Sequence, residues 1–126
     1  MQYQSDRDSI KNIGLLTSSV LIENLKELVR TERKITAQIV AHIKEVERRR
    51  VYIDAGYKNL LTFLLQELGY TRAAAQRRID GARLCEDVPE LHENLKSGEL
   101  NLSQVSMLAQ CVRQKKKEAP HVEINS

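Results

Sequence analysis

The chain has 126 residues, a formal net charge of +3, 41% hydrophobic residues and only 4% aromatic residues. This length is enough for one domain core but excludes an enzyme domain joined to a separate module. Two prolines and five glycines among many helix-favouring residues predict an all-α chain. The modest positive charge permits nucleic-acid binding without requiring it.

The first part of the chain combines a polar start with a long helical pattern. Residues 1–16 predict a flexible tail. Residues 17–55 allow two interpretations, a hairpin broken near Thr31 to Thr36 or one continuous helix, and we favour the continuous helix.

Such a helix is longer than the core of a chain this size, so its amino-terminal half needs a partner. Its apolar residues form a narrow seam at helical spacing, which predicts a homodimer. The predicted dimerisation residues are Leu21, Leu25, Leu28, Ile35 and Ile39.

Residues 56–112 contain the pattern of a helix-turn-helix. An apolar run from Leu60 to Leu68 ends at Gly69, which suits the left-handed position after a helix. Thr71 then offers an N-cap hydroxyl, and only Gly81 disfavours a helix before Cys85. We therefore predict a turn followed at once by a second helix.

Helical spacing divides this second helix into two sides. Ala75, Ile79 and Ala82 form an inward stripe. The other side carries Ala73, Ala74, Arg77, Arg78 and Gly81. Two arginines among small residues suit close approach to DNA, with guanidinium groups at base edges or phosphates. The same pattern suits tight helix packing with the arginines paired to carboxylates, and the pattern alone does not separate the two.

Two further helices are predicted towards the carboxyl end. Pro89 suits the first turn of a helix that Gly98 closes, and Ser103 caps a final helix that ends near Val112. The basic, polar segment 113–126 predicts a disordered tail. The complete pattern is an all-α fold of about six helices, with a long amino-terminal helix followed by a compact helical domain.

No pattern in the chain is typical of catalysis or metal binding. There is no nucleophile elbow, phosphate-binding glycine loop or HExxH motif. His42 and Glu45 lack further ligands and predict a surface pair, whereas Cys85 and Cys111 predict reduced core thiols. We therefore expect no enzyme activity, no metal or other cofactor and no small-molecule substrate.

The apolar runs are too short to span a membrane, so we expect a cytoplasmic protein without membrane contact.

An apolar helix ending in Leu-Gly, a Thr-Arg pair and a helix with Arg77 and Ile79 follow one another in the middle of the chain. In this layout residues 60–109 resemble the helix-turn-helix region of ParB/KorB-like partition proteins. The resemblance implies that Ala75 and Ile79 belong to the core. It also implies DNA-facing positions at Arg72, Ala73, Ala74, Gln76 and Arg77.

A second set of motifs covers more of the chain: ERRR at residues 47–50, GY at 56–57, ELGY at 67–70, RRI at 77–79 and ARL at 82–84. Through them the chain is similar to the amino-terminal helical domain of many bacterial HNH endonuclease proteins. In those proteins a carboxy-terminal metal module built on histidines and an asparagine carries the chemistry. Only His121 and Asn125 follow the helical part here, without the context of such a module, so we expect no nuclease activity.

Together these patterns predict a nucleoid-associated, homodimeric protein that inserts the helix over residues 72–84 into the major groove of double-stranded DNA. Further backbone contacts are expected from Arg78, Lys58, Arg48, Arg49 and Arg50. The alternative is an oligomerisation or protein-docking module without DNA contact. Arginines 77 and 78 should be exposed beside Lys58 in the first case, and buried against carboxylates in the second.

Overall fold

The computed structural model describes residues 12–125, with side chains described as far as residue 118. Within this range the chain is entirely helical apart from its turns, and no strand is present, which confirms the all-α class. The elements are a 3-10 turn over Ile13–Leu15 and the helices α1 Ser18–Arg49, α2 Val51–Asp54, α3 Leu60–Gln66, α4 Arg72–Asp87, α5 Glu90–Ser97 and α6 Leu102–Asn125. Most of the predicted flexible tail lies outside the described residues.

The long amino-terminal helix is continuous, as predicted. It ends at Arg49 rather than near Ala55, because Arg50 adopts a left-handed backbone conformation with a φ of 55°. A residue in that conformation cannot continue a right-handed helix. The chain resumes as the short α2 and then turns at Gly56, which has a φ of 96°. No helix in the described part of the chain is long and apolar enough to cross a membrane.

The chain divides into two compact units between Glu32 and Arg33. In the first unit, the described residues are the 3-10 turn and the amino-terminal part of α1, and none of them is fully buried. Five large apolar side chains of this part of α1 are 43–65% exposed: Val20, Leu21, Ile22, Leu25 and Leu28. This segment therefore presents apolar surface that its own unit does not cover.

The second unit contains a hydrophobic core to which α1, α3, α4, α5 and α6 all contribute. The predicted inward stripe of Ala75, Ile79 and Ala82 is confirmed, since these residues are at most 2% exposed. Leu64 of α3 and Val105 of α6 are completely buried in the same core. Most of the packing of α4 is against α6 and α3, which makes α4 the central helix of the unit.

The turn between α3 and α4 has the predicted chemistry. Gly69 has a φ of 75°, and the backbone N–H of Tyr70 donates to the carbonyl of Leu64 at 3.1 Å, which closes the end of α3. The hydroxyl of Thr71 accepts a hydrogen bond from the N–H of Ala74 at 3.2 Å and caps the start of α4. Both helix ends are thus fixed by local interactions.

The prediction that Gly81 lies on the outer side of α4 is wrong, because Gly81 is buried. A Cβ atom at this position would lie 3.5 Å from Leu102 and 3.8 Å from both Val105 and Val40. Ten residues into the helix, α4 is covered by α1 and α6 together, so the buried side is wider there than a single stripe.

These distances predict that Gly81→Ala stabilises the protein. The added methyl group would make ordinary van der Waals contacts, and alanine is favoured over glycine in a helix by about 1 kcal/mol. We expect a higher midpoint of thermal unfolding, measured by circular dichroism. Gly98→Ala is the contrasting variant, since Gly98 has a φ of 88° and a Cβ there would lie 2.6 Å from the guanidinium of Arg33. A lower midpoint for Gly81→Ala would contradict the prediction.

The final helix is longer than predicted. It continues to Asn125 through the basic segment, for which the sequence predicts disorder. Side chains of this segment reach acids on α4: Arg113 lies 3.1 Å from Asp80, and Lys116 lies 3.7 Å from Asp87. These contacts, together with the helix-favouring glutamine and lysines, account for a helix that continues through residues 113–117.

Candidate nucleic-acid interface

The amino-terminal half of α4 has a polar outer side opposite the core. Arg72, Ala73 and Gln76 are exposed, and Ala74 and Arg77 are partly exposed. No acidic residue occurs in the first turn of the helix. Among the described residues, no carboxylate forms an ion pair with Arg72 or Arg77. The two guanidinium groups are therefore available to an external anion.

Arg78 is directed back onto the protein. Its guanidinium carbon lies 4.5 Å from the centre of the Tyr70 ring, and its Nη1 donates to the carbonyl of Ala74 at 3.0 Å. Its Nε is buried and has no hydrogen-bond partner within the described chain. A cation over an aromatic ring is a stabilising arrangement. Arg78 thus holds Tyr70 at the turn before α4. It is partly buried, and it is paired with no carboxylate of the described residues.

A completely buried carboxylate lies beneath the outer side of α4. Oδ1 of Asp80 accepts hydrogen bonds from Nε2 of Gln76 at 3.0 Å and from Nη1 of Arg113 at 3.1 Å. Oδ2 accepts from the hydroxyl of Ser106 at 2.7 Å. A buried charge requires partners of this kind, so the cluster of Asp80, Gln76, Ser106 and Arg113 is satisfied.

Neither Asp80 nor Arg113 is among the predicted site residues. The only local signal is the spacing of Gln76 and Asp80, which are four residues apart and so share one side of the helix. The partners Ser106 and Arg113 come from α6, and no pattern in the sequence indicates that pairing.

A two-oxygen ion pair links α4 to α1. Nη2 of Arg83 donates to Oε2 of Glu47 at 2.8 Å, and its Nε lies 3.2 Å from each carboxylate oxygen. The carboxylate raises the pKa of Arg83. A bidentate pair of this kind restrains both side chains more strongly than a single contact does.

The other predicted cations differ in their surroundings. Lys58 and Arg50 are exposed and have no ion-pair partner among the described residues. Arg48 and Arg49 both bind Glu45, with Nε of Arg49 at 2.6 Å from Oε2. The hydrogen bonds from these two arginines lower the pKa of Glu45 to about 2. Two of the three predicted phosphate contacts in the arginine triplet are therefore already engaged with a carboxylate.

The predicted dimerisation residues differ in exposure. Leu21, Leu25 and Leu28 are exposed on the amino-terminal part of α1. Ile35 is 50% exposed, whereas Ile39 packs partly against the core. Both isoleucines line an apolar groove of about 380 Å³, together with Val46, Phe63, Leu68 and Tyr70 among others.

No group of three or more histidine, cysteine or acidic side chains in the described part of the chain is placed to hold a metal ion. His42 and Glu45 lie at the surface, as predicted, but each has another partner: Nδ1 of His42 lies 2.7 Å from the carbonyl of Gln38, and Glu45 binds arginines. Cys85 is buried, and burial raises the pKa of its thiol. Cys111 is exposed, contrary to the prediction of a core thiol, because Ala109 and Val112 face the core on that part of α6.

Comparisons with protein-family models, with curated proteins and with solved structures give no significant match. The resemblance to partition proteins and to the HNH-associated domain depends on the sequence motifs and stays a prediction.

Proposed function

We propose that the protein binds double-stranded DNA by placing the amino-terminal half of α4 in the major groove. One observation carries the proposal: Arg72, Gln76 and Arg77 lie on the outer side of α4 and neither arginine is paired with a carboxylate in the described chain. The opposite side, with Ala75 and Ile79, is fixed in the core. This combination supports DNA contact. In the alternative, a protein-docking module, the arginines would be paired with carboxylates.

The start of α4 suits an approach to DNA. Ala73 and Ala74 have short side chains, so the helix backbone can come close to the walls of the groove. The amino terminus of a helix carries a partial positive charge, and the first turn of α4 contains no acid that would offset it. In the major-groove arrangement, residues near the start of the inserted helix contact the base edges.

Gln76 has the chemistry of an adenine-reading residue. Adenine presents one acceptor and one donor in the major groove, which the amide of glutamine matches with its N–H and its oxygen. The hydrogen bond to Asp80 uses one N–H of the Gln76 amide and leaves the other N–H and the oxygen for a base. Arg72 and Arg77 then bind guanine edges or phosphates on either side.

The proposal is tested by titrating fluorescently labelled double-stranded DNA with the protein and measuring anisotropy at several salt concentrations. We expect saturable binding, with the logarithm of the association constant falling linearly as the logarithm of salt concentration rises. The slope is expected to be about −0.9 for each phosphate contacted. No binding at low salt, or binding that does not depend on salt, would contradict the proposal. Nucleoid association would follow from DNA binding, and the proposal assigns the chain no catalytic role.

We also propose that two copies associate through α1. The observation in favour is the exposed apolar seam on its amino-terminal part, where Leu25 and Leu28 are 61% and 65% exposed. Contiguous exposed apolar surface usually marks an interaction site. A second copy supplies an identical seam, so a two-fold symmetric dimer covers both at once and presents two copies of α4 to two half-sites.

Leu25→Asp combined with Leu28→Asp is expected to weaken self-association at least about tenfold. Each buried leucine contributes roughly 1.5–3 kcal/mol of apolar burial, which a charged carboxylate reverses. Sedimentation equilibrium of the wild type and the variant measures the effect. Glu23→Ala with Lys26→Ala removes an exposed ion pair from the same segment and serves as the control. A wild-type protein that stays monomeric at high concentration would exclude this dimer.

A further inference from the structure

A single buried atom joins α4 to the basic part of α6. Oδ1 of Asp80 accepts hydrogen bonds from both Gln76 and Arg113, at 3.0 Å and 3.1 Å. Two side chains that are far apart in the sequence therefore end at the same oxygen. Arg113 consequently lies directly beside the residue to which we assign base reading.

Arg113 has capacity left for another ligand. Its side chain is 51% exposed, whereas that of Asp80 is completely buried. Of the five N–H groups of a guanidinium, one is used in the hydrogen bond to Asp80 and no other hydrogen bond of Arg113 occurs within the described chain. Lys117 lies four residues after Arg113 and so on the same side of the helix, and it is exposed without an ion-pair partner among the described residues. Arg113 thus places a cation of α6 next to Gln76 on the outer side of α4.

We propose that Arg113 is a second phosphate-binding residue of the DNA interface and that Asp80 is the positioning residue for both Arg113 and Gln76. The inference depends on the proposed DNA binding and adds a contact from a different helix. In this arrangement Arg113 binds a phosphate of the DNA backbone next to the base that Gln76 reads. Phosphate contacts of this kind set the register in which a base-reading side chain meets its base.

The carboxylate of Asp80 prepares both side chains for binding. An arginine that is free in solution loses rotational freedom when it binds a phosphate, which opposes binding. Arg113 is already held by Asp80, and Ser106 holds the other oxygen of that carboxylate in turn. The bond from Gln76 to the same carboxylate fixes which end of its amide points outward. Asp80 thus reduces the conformational entropy that the side chains of Arg113 and Gln76 lose when they bind DNA.

Arg113→Ala tests the second contact directly in the salt titration. We expect the affinity for double-stranded DNA to fall about three- to tenfold at low salt, and the salt slope to become less steep by about 1. Arg113→Lys keeps the charge but lacks the planar group, so it should keep the slope while binding more weakly than the wild type. Lys96→Ala removes an exposed cation from α5 and should change neither quantity.

Asp80→Ala separates positioning from charge. The change makes the protein more positive, so electrostatics alone predicts tighter DNA binding. Alanine offers no acceptor to Arg113 or Gln76, and the loss of both hydrogen bonds predicts weaker binding and a reduced preference among base pairs at the position that Gln76 reads. Weaker binding of a folded Asp80→Ala protein supports the inference, and tighter binding overturns it. If this variant does not fold, the Arg113 variants decide the matter.

The outcomes distinguish this inference from the proposed function. If Arg113→Ala binds as the wild type does while alanine at both Arg72 and Arg77 weakens binding strongly, the Arg113 contact is wrong and the role of α4 stands. If the wild-type protein does not bind DNA at all, both are wrong. If both groups of variants weaken binding and only the charge-removing ones reduce the salt slope, both are supported.

Discussion

Replacing both Arg72 and Arg77 by alanine is expected to weaken DNA binding by about a hundredfold. Each arginine is available on the outer side of α4, and a guanidinium contact to a guanine or a phosphate contributes on the order of 1–3 kcal/mol. Because neither residue has an ion-pair partner in the described chain, their removal leaves no carboxylate unpaired. Folding stability should therefore change little, and the effect should be confined to binding.

A charge-matched control makes this experiment specific to the surface of α4. Lys34→Ala combined with Lys96→Ala also removes two positive charges, from exposed positions on α1 and α5. Anisotropy titration of both double variants at the same salt concentrations gives the comparison. A loss confined to the Arg72 and Arg77 variant supports recognition through α4. Equal losses in the two variants would mean that net charge, rather than this surface, determines the affinity.

Arg78 shows why two adjacent arginines need not share a role. The sequence places Arg77 and Arg78 on the same side of α4, but a helix turns by about 100° between neighbours. That rotation brings Arg78 over Tyr70, where the ring and the carbonyl of Ala74 hold it. The aromatic partner lies outside the helix, in the preceding turn, so helical spacing alone does not predict the contact.

Features with local causes could be predicted from the sequence. The turn before α4 depends on the conformational freedom of Gly69 and on the hydroxyl of Thr71, and both act within a few residues. The inward stripe of Ala75, Ile79 and Ala82 follows from helical periodicity. These signals sufficed for the helical fold and for the exposed positions of Arg72 and Gln76 on α4.

Features that depend on packing between distant helices could not be predicted. The burial of Gly81 depends on α1 and α6 covering the same part of α4, and the pairing of Asp80 with Arg113 depends on how α6 crosses α4. The left-handed Arg50 ends α1 within a run of three identical residues, where the sequence shows no preferred break point. The α4 residues of the candidate interface were therefore predicted from the sequence, whereas the partners that α6 contributes were not.

Leu64→Ala is expected to reduce the free energy of unfolding by about 2–5 kcal/mol. Leu64 is completely buried in α3, within the core formed with α4. Removing its branched end loses apolar burial and leaves a cavity that the surrounding helices fill only in part. Urea unfolding followed by circular dichroism measures the loss.

Leu68→Ala is the matched control, because Leu68 lies just after the same helix and is 50% exposed. We expect it to change the free energy of unfolding by less than about 1 kcal/mol, since little burial is lost there. Equal effects of the two substitutions would mean that α3 does not pack as the structure shows.

At a low temperature where Leu64→Ala remains folded, its DNA affinity should match that of the wild type. Leu64 belongs to the core that supports α4 and does not lie on the outer side of that helix. A folded Leu64→Ala protein with impaired DNA binding would instead show that the orientation of α4 is sensitive to the packing of α3.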